Sequence, residues 1–120
     1  MIKNYLTYIK EQNRHDLDPY GEDDWDDLPP VLEIAKRQGK PYDQVTSLVC
    51  SNNQLTSLEG IENLINLQVL SCSENQLTSL EGIENLVNLK ELYCTNNQFS
   101  VDYKNYLRSY CKKRKINLYV

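Results

Sequence analysis

Long apolar runs are missing from this chain of 120 residues, and histidine occurs once, as His15. The longest apolar stretches are a few residues, against the roughly 20 that a membrane-spanning helix needs. The start, MIKNYLTYIK, has no apolar core followed by small cleavage residues, so the expectation is a soluble, cytoplasmic protein. Basic excess is also absent: 17 Asp+Glu stand against 13 Lys+Arg, a formal charge of -4, which makes nucleic acid a poor partner. Glycine-rich phosphate loops and collagen or coiled-coil composition are lacking too. With 40% hydrophobic and 25% charged residues the chain is too apolar for disorder, and its length suits one domain. A single Ala, Ala35, and nine Tyr are unusual proportions from which no function follows.

What the chain does contain is a repeat. LTSLEGIENL occurs at residues 55–64 and again, letter for letter, at 77–86, a shift of 22 residues. At that period residues 44–65, 66–87 and 88–109 align as three units, the third decaying after Phe99. Val45, Leu67 and Leu89 share one position, as do Leu48, Leu70 and Leu92; Cys50, Cys72 and Cys94; Asn53, Asn75 and Asn97; and Leu55, Leu77 and Phe99. Alternation at Leu48 and Cys50 predicts a strand, whereas Leu55, Leu58, Ile61 and Leu64 recur at threefold spacing, which suits 3₁₀ or irregular turns. Each unit is then one coil whose apolar edge is wet unless a neighbour covers it, so three coils stack with parallel strands about 4.8 Å apart. Asn53, Asn75 and Asn97 follow the strand where the chain turns sharply, and a buried amide there can bond the turning backbone. Gly60 and Gly82 precede the isoleucines at the convex bend, where a residue without Cβ fits.

The pattern L-x-x-L-x-C-x-x-N-x-L resembles the leucine-rich repeat family, in its short 22-residue class, over about residues 44–99. The wording TSLEGIENL is similar to that of bacterial and large-virus members. The resemblance implies an α/β solenoid with a parallel sheet on the concave face, and a protein-binding scaffold rather than an enzyme.

Both ends of so short an array need covering. Ile2, Tyr5, Leu6 and Ile9 lie on one face of a helix running to about Arg14. A second helix follows Pro29 and Pro30, carries Leu32, Ile34 and Ala35, and stops at Gly39 before Pro41. Residues 1–43 therefore read as a helical N-terminal cap, 44–98 as repeats and 99–120 as a C-terminal cap, all one domain. In that last segment Tyr103, Tyr106, Leu107 and Tyr110 sit at helical spacing, and Ile116, Leu118 and Val120 alternate as a closing strand. The tyrosine stripe packs on the last coil with its hydroxyls reaching the rim, or offers a stacking platform for bases.

Four cysteines in a small chain could frame disulfides, but Cys50, Cys72 and Cys94 recur at the core-facing repeat position and read as a ladder of buried thiols, with Cys111 packed on the cap helix. Zinc would need a usable histidine beside them. Charge is uneven: residues 99–120 hold six bases and one acid, and Lys112, Lys113, Arg114 and Lys115 either meet phosphate or complement a helix C-terminus. Between Asp16 and Asp27 the run DLDPYGEDDWDD nearly fits a calcium loop, with Asp16, Asp18, Gly21, Glu22, Asp24 and Asp27 at the ligand and turn positions. Tyr20 replaces one oxygen ligand, Asp27 is shorter than the usual bidentate Glu, and Leu28-Pro29-Pro30 interrupts the exit helix. A solvated acidic loop is the plain alternative, and a recognition loop anchored by Trp25 the third.

Residues between the inward ones face outward. Ser47, Val49, Ser51 and Asn52, then Val69, Ser71, Ser73 and Glu74, then Glu91, Tyr93, Thr95 and Asn96 form a neutral polar surface with apolar points at Val49, Val69 and Tyr93. It carries no histidine, no nucleophile beside a base and no facing carboxylate pair, so a catalytic site and a cofactor are not expected. The expected function is protein binding by a monomer through this face and the loop at Trp25. Two rivals are an inhibitor whose acidic loop blocks a basic enzyme site, and a calcium-responsive module.

Overall fold

The computed structural model describes residues 28–120. The helix expected over residues 2–14, the acidic run 16–27 and Trp25 lie outside the described residues.

Pro30 occupies the first turn of α1 (Pro30–Lys36), where its missing N–H costs no hydrogen bond and its fixed φ suits the helix. Val31, Leu32 and Ala35 are buried along one face. The chain then turns at Gly39, φ +72°, and passes through a 3₁₀ turn, Tyr42–Gln44, into the first strand. Three short strands recur at the repeat spacing: β1 (Ser47–Val49), β2 (Val69–Ser71) and β3 (Glu91–Tyr93). A helix, α2 (Val101–Arg114), follows, and β4 (Asn117–Tyr119) completes the sheet.

All neighbouring strands are parallel, in the order β1-β2-β3-β4. Leu48 pairs with Leu70, Leu70 with Leu92, and Leu92 with Leu118, so one leucine ladder runs the length of the sheet. Its first three members are buried, and Leu118 is half-buried at the open end. Cys50, Cys72 and Cys94 form the next ladder inward along the chain and are fully enclosed. The residues expected inward at threefold spacing are buried too, and the segments Ile61–Asn63 and Ile83–Asn85 are 3₁₀ helices. Threefold spacing places every third side chain on the same side of such a helix, which is why it suits the back of a coil. The result is an α/β solenoid with a parallel sheet.

Gly60 and Gly82 precede those 3₁₀ helices at φ +94° and +105°. A Cβ at Gly82 would lie 2.8 Å from Ile61 Cγ2, in the neighbouring coil, and a Cβ at Gly39 would meet nothing within 4 Å. Gly82→Ala should therefore cost about 2–3 kcal/mol, combining backbone strain with the clash, whereas Gly39→Ala carries the strain alone, about 1 kcal/mol. Urea unfolding of the two variants checks the difference, and equal losses would show that the approach of the coils is not tight.

At the far end, Ser100 caps α2 by accepting from Tyr103 N–H at 3.1 Å. The helix closes with Lys115 at φ +61° while Ile116 N–H donates to the Cys111 carbonyl at 2.8 Å. That reversal returns the chain into β4.

Candidate protein-interaction face

The outward side of the sheet holds two columns fixed by the strand register. One is Ser47, Val69, Glu91 and Asn117; the other is Val49, Ser71, Tyr93 and Tyr119. Just past the strands a third column, Ser51, Ser73 and Thr95, is half-buried. A fourth, Asn52, Glu74 and Asn96, is exposed, and all three residues take left-handed backbone at φ +57° to +59°. Asn tolerates that conformation because its short amide can bond locally; Glu74 is held there by its N–H donating to the Thr95 carbonyl at 2.8 Å. Every residue expected on this surface from residue 47 onward thus lies on it.

Tyr119 and Asn117 complete the columns and were not among the expected face residues. Alternation carried the signal: with Leu118 and Val120 inward, the residues between point outward. The Tyr119 ring stacks on Tyr93 with centroids 4.5 Å apart and planes 5° from parallel. Tyr93 donates its hydroxyl to Glu91 Oε1 at 2.9 Å, and that bond to a carboxylate, above all, raises the phenol pKa above its ordinary value. Val49, two strands away, is 66% exposed, and Tyr119 is 48% exposed. Between them the polar floor is tied together: Ser51 and Ser71 hydroxyls lie 3.0 Å apart, and Thr95 donates both its N–H, at 3.0 Å, and its hydroxyl, at 3.1 Å, to Ser73 Oγ. The face is therefore an aromatic pair at one end, a valine at the other and a prearranged row of hydroxyls between.

Beneath it, the asparagine ladder does the turning. Asn75 Oδ1 accepts from the N–H groups of Asn53 and Leu55, both at 2.9 Å, and its Nδ2 donates to the carbonyls of Cys50, Cys72 and Ser73 at 3.1, 3.0 and 3.2 Å. Asn97 repeats the pattern one coil on, accepting from Leu77 N–H at 3.0 Å. Asn53 departs from the expectation. It is exposed and its amide donates to the Ser51 carbonyl at 3.0 Å; among the described residues no strand precedes β1 to supply turning backbone. A second, unforeseen amide row sits on the coil edges, where Asn66 donates to the Asp43 carbonyl at 2.7 Å and Asn88 to Asn66 Oδ1 at 3.2 Å.

All four cysteines are buried and free. Burial raises the thiol pKa to about 12 at both Cys50 and Cys94, and well above the ordinary range at Cys72. Thiols held neutral in this way are neither nucleophiles nor ready ligands. Among the described residues no group of His, Cys, Asp or Glu is placed to hold a metal ion. The calcium candidates Asp16, Asp18, Glu22, Asp24 and Asp27 lie outside them.

The tyrosine stripe of α2 turns toward the coils. Tyr103 accepts from Leu80 N–H at 2.7 Å, and Tyr106 donates to Glu84 Oε2 at 2.9 Å. Arg114 stands 4.9 Å from the Tyr110 ring centre, so both ends of the stripe are engaged within the fold. Lys112, Lys113 and Lys115 remain exposed at the end of the helix.

The family described as Leucine Rich repeats (2 copies) matches residues 43–75 and 65–105, together more than half of the chain. This chain belongs to the leucine-rich repeat family. Leucine-rich repeat domains generally mediate protein–protein interaction and are generally non-catalytic scaffolds. A comparison with curated proteins returned no match. No helix among the described residues of this leucine-rich repeat protein is long and apolar enough to cross a membrane.

Proposed function

We propose that this leucine-rich repeat protein is a non-catalytic, monomeric, cytoplasmic scaffold that holds a protein partner against the open face of its sheet. In this reading three coils, residues 44–98, stand between a helical N-terminal cap, 1–43, and a helix–strand C-terminal cap, 99–120. The partner contacts the Tyr93–Tyr119 end of the face and the acidic segment at Trp25. The observation that carries the reading is the aromatic pair: Tyr93 and Tyr119 stack 4.5 Å apart beside an ordered hydroxyl row. Rigid tyrosines lose little side-chain entropy on binding, and hydroxyl neighbours adapt to a partner's polar groups, which is the composition of an efficient recognition surface. Four strands about 4.8 Å apart span only about 15 Å, so an interface of about 800 Å² per side must reach beyond the sheet. In this reading the acid-rich segment carrying Trp25 supplies the added area.

Affinity capture from lysate of the native host, with wild type and a Trp25→Ala/Tyr93→Ala double variant compared by mass spectrometry, tests this. A protein retained by wild type and lost by the variant, with melting temperatures matching within about 3 °C, is the expected result. Identical captures would sink the proposed face.

A further inference from the structure

The outer edge of the sheet is not used by the face just described. β4 is the last strand in the order, and Asn117 N–H donates to the Lys90 carbonyl at 2.9 Å while Cys94 N–H donates to the Tyr119 carbonyl at 2.8 Å. Residues 117 and 119 thus spend their backbone groups on β3. Alternation along the strand turns the N–H and C=O of Leu118 the opposite way, off the edge, where no strand among the described residues pairs with them.

Beside that edge lies a groove of about 580 Å³ between α2 and β4. Cys111, Ile116, Leu118 and Val120 give it an apolar lining, and Arg108 and Lys112 line it from the helix. Leu118 pairs with Leu92, so Val120 stands at the repeat position of Cys50, Cys72 and Cys94. Both inward ladders therefore continue into β4, yet Leu118 and Val120 are only half-buried there. Among the described residues no strand fills the place beside β4 that the groove borders.

Charge selects the occupant. Residues 99–120 carry six bases and one acid, so two copies meeting edge to edge would bring like charges together. We propose that this edge and groove accept an extended segment of an acidic protein partner, which adds as a fifth strand. Its backbone pairs with Leu118, its alternate apolar side chains cover Leu118 and Val120, and flanking carboxylates meet Arg108 and Lys112. Thr95 and Tyr119 of the outward face also line this groove, whereas the Leu118 backbone edge, Arg108 and Lys112 belong to it alone.

The test uses the full 120-residue chain and fluorescein-labelled nonapeptides followed by anisotropy at low salt. Peptide DDVTVTVDD should bind saturably, at least tenfold more tightly than KKVTVTVKK, and R108E/K112E should weaken it at least tenfold. Two further versions carry N-methyl groups on the amides of alternate residues, one set being the complement of the other. One set should abolish binding and the other leave it, because only alternate amides of an added strand face the edge; this arm needs no protein variant. Equal binding of the acidic and basic peptides, indifference to R108E/K112E in a chain that still folds, or equal behaviour of the two methylated sets would overturn the proposal. So would sedimentation showing that the chain alone dimerises through this edge and that the peptide does not compete.

Discussion

Asn75→Ala should destabilise the protein by about 4 kcal/mol, read as a large drop in the urea midpoint, while Asn53→Ala at the same repeat position should cost less than about 1 kcal/mol. Asn75 is 7% exposed and makes five hydrogen bonds to the backbone of two coils. Alanine leaves the N–H groups of Asn53 and Leu55 without their acceptor and the Cys50 carbonyl without this donor, in a turn too enclosed for bulk water to replace them all, while the Cys72 carbonyl keeps Asn97 Nδ2 and the Ser73 carbonyl keeps Asn52 N–H. Each orphaned buried group costs about 1–3 kcal/mol, so three of them give about 4 kcal/mol, the two carbonyls that keep a second donor adding little. Asn53 is exposed and satisfies one carbonyl of its own coil. Similar losses in the two variants would mean that the amide acts through local turn propensity rather than by joining coils.

Leu70→Ala should cost about 3–5 kcal/mol, against about 1 kcal/mol for Leu118→Ala on the same ladder. Leu70 is fully buried between Leu48 and Leu92, so its cavity is walled by strands on both sides that are pinned by their own hydrogen bonds and cannot collapse inward. Leu118 is half-buried at the end, where truncation leaves a dent open to water. Urea titrations followed by circular dichroism should show both midpoints fall with the slope unchanged. A small loss for Leu70→Ala would mean that neighbouring coils slide together when a rung is shortened.

Much of the solenoid was legible because its unit is written twice in identical letters, at residues 55–64 and 77–86. A fixed period aligns positions directly, and the strand, the threefold turn and the glycine bends then follow from side-chain spacing. Three features were harder to see. Asn53 shares its position with Asn75 and Asn97, yet it is exposed where they are more enclosed, since among the described residues only they have a strand before their own to bond, which periodicity does not reveal. Tyr119 belongs to a segment that has left the repeat, so listing the face coil by coil passed over the ring that stacks on Tyr93. The hydroxyl contacts Ser51–Ser71 and Ser73–Thr95 arise from side chains leaning across neighbouring strands, a detail that the spacing leaves open. The partner itself leaves no period at all, since surface residues are chosen by what they meet rather than by the coil that carries them.

The asparagine contacts also have a direction. Asn75 closes backbone that belongs to the coil before it, at Asn53, Leu55 and Cys50, and Asn97 does the same for Leu77 and Cys72. Each coil is therefore locked by its successor. Losing the last one strips its predecessor of a fastening, whereas losing the first removes only the coil that was being fastened. Opened from the C-terminal end, the array comes apart like a row of shingles lifted from the overlapping side. Opened from the other end, it meets at each step a coil still pinned from above.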